Sequence, residues 1–394
     1  MNNIRNFWLY TSSTAINILC SYAVLFLLTN YLSKESYAEY GYYNSVFSLL
    51  LVLFNFGVKE TAFKLASRGE TDALQLLFHW YLSLQLIFLI SILVLCYWHP
   101  KLAVIAVSFV LFSWMLVLSA MYRGQSRYLR DAFCWPIQRC LWLMFILLAI
   151  YFFESIDFFE VFIASLIASL VVVLMSLDRG YTKNFKFKLK PPSNIVFRFF
   201  FVEASILLYT RVDVPILNSF EIVKSEVADY YIAVQIFDAA VLILTPISYF
   251  FFNQLASRFS LTNSTDSGFV FRYILILLGL VALGQLIWSN IGLQFLAYFA
   301  ASYVSSFHNI SLFLWALYPL AINLILSSLL IQWNSETSYA SVCIAGLLFY
   351  LVVSFLLVPA FGSVGAIYSR IGVECFLTIM LLFTFIVKGK NRCL

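Results

Sequence analysis

Charge is what this sequence has least of. Only 11% of its 394 residues are charged, against the roughly one quarter that a soluble domain uses to cover its surface. A folded surface so poor in charge would aggregate in water but suits lipid. Histidine and cysteine are also sparse. There are three histidines, and the seven cysteines (Cys20, Cys96, Cys134, Cys140, Cys343, Cys375, Cys393) show no CxxC and no Cys/His ligand spacing. No metal and no disulfide framework are expected, and the cysteines read as small apolar fillers. The sequence has no GxSxG, no phosphate-cradling glycine-rich loop and no acidic pair facing an aqueous loop. No connection is long enough to hold a soluble catalytic domain, so an enzyme is not expected. The first apolar stretch lacks a small-residue cleavage site and is followed by many more, so a membrane helix is expected there rather than a cleaved signal peptide.

What is present is apolar. Hydrophobic residues make up 63% of the chain, aromatics 19%, and the mean hydropathy is +0.92. Crossing the hydrocarbon core takes about 20 mainly apolar residues. Apolar runs between charged or Pro/Gly breaks predict about twelve spans. Six fall in the first half, at about 8–31, 40–66, 73–97, 102–122, 131–153 and 158–177. Six follow at about 195–219, 229–257, 269–289, 309–332, 338–358 and 364–387. The stretch 290–308 either extends the ninth helix or lies in the interface.

The basic residues orient this array. With the N-terminus inside, the cytoplasmic segments carry 17 Lys and Arg, while the outer segments carry only Lys34, Lys101 and Lys224. Both termini are therefore expected on the cytoplasmic side. The net charge of +5 belongs to topology and anionic headgroups, not to nucleic acid.

The longest hydrophilic segment, 178–194, ends in Pro191-Pro192 near the middle of the chain. It predicts an N-terminal six-helix lobe (1–180), a basic cytoplasmic linker (181–194) and a C-terminal six-helix lobe (195–394). An internal match supports the division. Lys34, Ala38, Glu39 and Tyr40 recur as Lys224, Ala228, Asp229 and Tyr230 at an offset of 190, each set in the first outer connection of its half. Each half has an even number of spans and starts inside. The repeats are therefore parallel, related by an axis along the membrane normal.

Function has to be sought among charges inside the spans, each costing about 2.5–3.5 kcal/mol at a helix centre on insertion scales. Glu203, Arg211 and Asp213 lie in the seventh span and Asp238 in the eighth. On one continuous helix Arg211 and Asp213 would point about 160° apart and could not simply neutralise each other. Counted from the outer ends, Arg211 lies about 10 Å deep and Asp238 about 15 Å, which makes a cross-helix pair reasonable. Lys59 and Arg139 lie near the cytoplasmic face, where they could contact a ligand or merely snorkel. Arg370 and Glu374, spaced i,i+4, read as a self-satisfied structural pair.

Several stretches resemble the O-antigen and exopolysaccharide flippases of the multidrug/oligosaccharidyl-lipid/polysaccharide exporter superfamily. The run Leu27–Gly41 is similar to the family's first-helix exit, and Phe54-Asn55-Phe56-Gly57 to the turn in its second helix. Arg211-Val212-Asp213 resembles the start of its second half. Tyr230-Tyr231-Ile232-Ala233, followed by Pro246, resembles its eighth helix, and Phe361-Gly362-Ser363-Val364-Gly365-Ala366 the entry to its last. Asn30 and Ser36 stand where the family usually has Arg and Pro.

The resemblance implies an all-α integral membrane fold, two six-helix bundles around a central cavity lined by helices 1, 2, 7 and 8. It implies a bacterial inner-membrane flippase for undecaprenyl-diphosphate-linked oligosaccharide. The expected partners are that substrate, membrane lipids and other polysaccharide-assembly proteins. A diphosphate crossing hydrocarbon needs fixed cations; Arg211, Lys59 and Arg139 are the candidates. Asp213, Asp238 and Glu203 are candidates for ion coupling, with H⁺ or Na⁺ as the ion and no other cofactor. The alternatives are a drug/cation antiporter of the same superfamily, which would want an acidic aromatic cavity without a phosphate-binding cation, and a membrane-embedded polymerase or acyltransferase. The outer loops are short for a polymerase.

Overall fold

The computed structural model describes residues 2–125, 127–153, 156–176, 185–191, 194–262, 267–333 and 335–390. Among the described residues there is helix and no strand. Part of the expected linker, 181–184 and 192–193, lies outside them. The chain divides into two compact units, Met1–Leu207 and Leu208–Leu394.

The first unit contains α1 (Asn2–Tyr31), α2 (Lys34–Asn55), α3 (Val58–Ser67), α4 (Thr71–Trp98), α5 (Pro100–Gly124), α6 (Tyr128–Phe153) and α7 (Phe158–Ser176), with most of α8 (Ile195–Arg211). Helix α1 packs on α6, and α5 packs on α3 and α7. Local chemistry sets the helix ends. Ser33 is the N-cap of α2 and accepts from Ser36 N–H at 3.1 Å, with Glu35 in the first turn where the helix dipole favours an anion. Pro100 opens α5 at a position where its missing N–H costs nothing.

The second unit holds α9 (Asp213–Ser219), α10 (Lys224–Thr262) and α11 (Ser267–Phe299). A 3₁₀ turn (Ala301–Ser306), α12 (Phe307–Phe313), α13 (Leu317–Gln332) and α14 (Glu336–Lys390) complete it. Helix α14 packs on α9 and α13, and α10 packs on α12 and α13.

Among the described residues eight helices are each long and apolar enough to cross a membrane, and the bent pair α2/α3 makes a ninth. One of the eight, Thr337–Val387, is 51 residues long. At 1.5 Å per residue that is about 77 Å, more than twice the hydrocarbon thickness of about 30 Å. It supplies two crossings joined at Gly362, where φ is 56° and ψ −132°. The multi-pass character expected from composition is thus present.

Four details differ from the expected spans. The second, read as one helix over 40–66, starts at Lys34 and breaks at Phe56-Gly57, both left-handed (φ 44° and 71°), with a 47° bend. The seventh, read as one helix over 195–219, breaks at Val212. Pro215 has no N–H to give the Arg211 carbonyl, so one rung is lost, while the Val212 N–H still reaches the Leu208 carbonyl at 3.0 Å and the Ile216 N–H the Val212 carbonyl at 2.9 Å. The stretch 290–308 first extends the ninth helix to Phe299 and then turns as 3₁₀. The eleventh and twelfth spans are two helices that meet at a kink at Gly362, whose φ and ψ are not helical.

The 190-residue match has a structural echo inside each unit. Ser36, at the start of α2, bonds Asp157 and accepts from the Phe158 N–H at 3.2 Å, at the start of α7. Its counterpart by offset, Glu226, sits at the start of α10. It accepts from the Ser363 N–H at 2.8 Å, where the second arm of α14 begins. In each unit the first connection of the repeat caps its last helix.

Candidate functional site

Polar side chains gather wherever a helix breaks, because a break leaves backbone groups that hydrocarbon cannot satisfy. In the first unit the break after Asn55 is the focus. The Phe54 carbonyl accepts from Gln85 Nε2 at 2.6 Å. Asn55, fully buried, donates from Nδ2 to Glu203 Oε1 at 3.1 Å and accepts from Ser113 Oγ at 2.7 Å; Ser113 in turn bonds Tyr81 OH at 2.8 Å. Glu203 also neighbours Lys59 and the Gly57 backbone at the start of α3, where the helix dipole favours a carboxylate. Its Oε2 is buried without a hydrogen-bond partner among the described residues. Lys59 lies 3.1 Å from Glu60 and is partly exposed.

At Gly57, just before α3, the backbone lies close against α8. A Cβ there would stand 2.3 Å from the Val196 carbonyl oxygen and 2.6 Å from Phe200 N. Only glycine allows both this approach and the left-handed φ. Arg139 belongs to a different place. It lies over the Trp142 ring at 5.0 Å and near Cys20 and Tyr40, at the packing of α6 on α1.

In the second unit the break at Val212 separates two charges that the sequence places side by side. Arg211 Nη1 lies 2.7 Å from Asp238 Oδ2, with the two side chains 23% and 30% exposed. Asp213 is only 2% exposed. It accepts from Tyr230 OH at 2.5 Å and, through Oδ1, from the Val214 N–H at 2.9 Å.

Behind it lies a sealed network. Arg370 donates to the Tyr209 carbonyl at 2.9 Å, sits over the Tyr209 and Phe237 rings at 4.8 and 5.7 Å, and lies 3.5 Å from Glu374. Glu374, with 0% exposure, accepts from Asn323 Nδ2 at 3.0 Å, and Asn323 accepts from Thr378 at 2.8 Å. Arg370 and Glu374 do lie together, but as part of a network of three helices and not as a closed pair. Asn55, Ser113, Tyr81, Tyr230 and Asn323 escape a reading that follows formal charge. The signal that could have found two of them is an asparagine in the middle of an apolar run.

Each unit thus holds a polar cluster beside a helix break, and the second presents a guanidinium that is paired yet still partly exposed. No histidine, cysteine or carboxylate grouping among the described residues could hold a metal ion. A search of curated proteins finds no match. Solved structures match along nearly all of the chain. The lipid II flippase MurJ in an inward closed conformation is similar with a TM-score of 0.74 at 11% identity, over 99% of this chain and 91% of that one. An outward-facing multidrug resistance MATE family transporter of the MOP superfamily gives 0.70 at 13%, over 99% and 95%. A MOP superfamily transporter from Pyrococcus furiosus, noted for the reverse polarity of its binding pocket, gives 0.68 at 11%, over 99% and 95%. These likenesses show that the chain has the fold those proteins share. Residues 4–252 match the family model described as polysaccharide biosynthesis protein. With that match over more than half of its length, the chain belongs to the polysaccharide biosynthesis protein family.

Proposed function

We propose that the protein flips undecaprenyl-diphosphate-linked oligosaccharide repeat units from the inner to the outer leaflet of the bacterial cytoplasmic membrane. The single observation that carries this reading is Arg211. It is a guanidinium inside an expected span, bound to Asp238 at 2.7 Å and still 23% exposed. A cation there suits a phosphate-bearing cargo, because guanidinium presents a planar fork of donors to phosphate oxygens. Membership of a polysaccharide biosynthesis family supports a glycan cargo.

The mechanism follows from the pairing. In the state described, Asp238 occupies Arg211. An arriving diphosphate competes for the same donors and displaces the carboxylate. An unpaired carboxylate in a low-dielectric site is costly, so Asp238 then takes up a proton or a cation. Loading and ion uptake are thereby linked, as ion-coupled alternating access needs. Lys59 and Arg139 are assigned as further cations along the headgroup's route, and Asp213 and Glu203 as secondary acid groups.

The test is complementation of a flippase-deficient strain. Arg211→Ala is expected to abolish surface polysaccharide at unchanged protein level, with lipid-linked oligosaccharide accumulating inside. Arg211→Lys keeps the charge without the fork and is expected to retain part of the activity. Full activity of the Ala variant would remove Arg211 from the mechanism.

A further inference from the structure

Residues 185–191, within the basic linker, have no helix or strand, bend at Lys190 and are pinned along α4. The Lys188 N–H donates to Ser83 Oγ at 2.8 Å, and Trp80 Nε1–H donates to the Leu189 carbonyl at 3.1 Å. The Phe185 ring meets His79 edge-on at 5.7 Å. The sequence alternates apolar and basic residues, Phe185-Lys186-Phe187-Lys188-Leu189-Lys190. Phe187 and Leu189 are 56% and 66% exposed. They are apolar groups that the protein leaves uncovered. No ion pair joins the three lysines to a carboxylate among the described residues. Beside the strap lies a groove of about 540 Å³ lined by Leu76, Phe187, Lys188, Leu189, Lys190 and Pro191.

Depth makes this arrangement informative. Ser83 is twelve residues into α4, about 18 Å along its axis, and α4 is long and apolar enough to cross a membrane. Irregular backbone carrying lysines is not tolerated against bare hydrocarbon. Exposed Phe187 and Leu189 are equally out of place in water. Both demands are met if lipid headgroups reach down to the strap. The ammonium groups then meet phosphate, while the aromatic and Leu side chains lie among acyl chains.

We propose that the 185–191 strap and its groove form a binding site for the phosphate headgroup of an anionic phospholipid of the inner leaflet. Lys186, Lys188 and Lys190 hold the phosphate, and Phe187 and Leu189 anchor between the chains. This assignment is independent of the cargo that the protein moves.

The experiment uses the full chain purified in detergent and titrated with phosphatidylglycerol, with phosphatidylcholine as the zwitterionic control and undecaprenyl diphosphate as a separate arm. Thermal unfolding is the readout. Phosphatidylglycerol is expected to raise the wild-type midpoint, and phosphatidylcholine to leave it in place. Each lysine near an anionic surface is worth about fivefold in apparent affinity. The triple variant K186Q/K188Q/K190Q should therefore need on the order of a hundredfold more phosphatidylglycerol for the same shift, while K388Q/K390Q should titrate like the wild type. A photo-crosslinking residue placed at Leu189 should form lipid adducts in native membranes. The proposal is overturned if the triple variant titrates as the wild type does, if phosphatidylcholine works equally well, if only undecaprenyl diphosphate shifts the midpoint, or if Leu189 crosslinks to protein alone.

Discussion

Arg211 is bonded to Asp238, 27 positions along the chain at 2.7 Å, and not to Asp213, its neighbour but one, which is held instead by Tyr230 at 2.5 Å. One guanidinium thus serves one carboxylate, and the second carboxylate is kept by a hydroxyl and by its own backbone. If Asp238 is the group released on substrate loading, Asp238→Asn should bind lipid-linked substrate about as well as the wild type. Transport in proteoliposomes should then no longer respond to an imposed ion gradient. A variant that still responds as the wild type does would move the coupling role to Asp213 or Glu203.

The Tyr230–Asp213 bond makes a second prediction. Both groups are buried, so Tyr230→Phe removes a donor without changing shape much and leaves the Asp213 carboxyl short of a partner. Losing a hydrogen bond to a buried group of this kind costs about 1–3 kcal/mol. Thermal or denaturant unfolding of the purified variant should show a loss in that range. An unchanged midpoint would mean that Asp213 is satisfied without the tyrosine.

Gly57 and Gly69 form an internal control for backbone strain. Both have φ of +71°, but a Cβ at Gly57 would meet the Val196 carbonyl oxygen at 2.3 Å, whereas nothing lies within 4 Å of one at Gly69. Gly69→Ala should cost only the left-handed penalty of about 1–2 kcal/mol. Gly57→Ala adds a backbone clash that only separation of α3 from α8 can relieve. It is expected to lower the yield of folded protein severely. Equal yields for the two variants would contradict the close approach.

Arg370 and Glu374 are sealed from solvent, at 5% and 0% exposure. Removing one partner of a buried pair costs about 3–5 kcal/mol, because the other charge is left unpaired, while replacing both by apolar groups is often close to neutral. Arg370→Met alone should therefore unfold far more readily than the double variant R370M/E374L. If the double variant is as unstable as the single one, Arg370 is stabilised mainly by its bond to the Tyr209 carbonyl or by Asp213 and not by Glu374.

The sequence by itself determined the class of molecule. A hydrocarbon core of fixed thickness demands apolar runs of a certain length, and α4 to α7 appear within a few residues of where those runs predict them. The scarcity of charge also made the intramembrane charges conspicuous, and depth counting made an Arg211–Asp238 pair reasonable, which the structure places at 2.7 Å. Tertiary structure decided where the helices break and which polar atoms meet there. The bend at Phe56-Gly57 depends on α8 lying against Gly57, and Asn55 finds Glu203 across 148 residues. Arg370 reaches the Tyr209 carbonyl across 161. Apolar periodicity is nearly silent in spans that are hydrophobic all round, so it does not say which face meets which helix. A buried polar group takes its partner from whatever packing brings near, and that choice exists only once the helices are assembled.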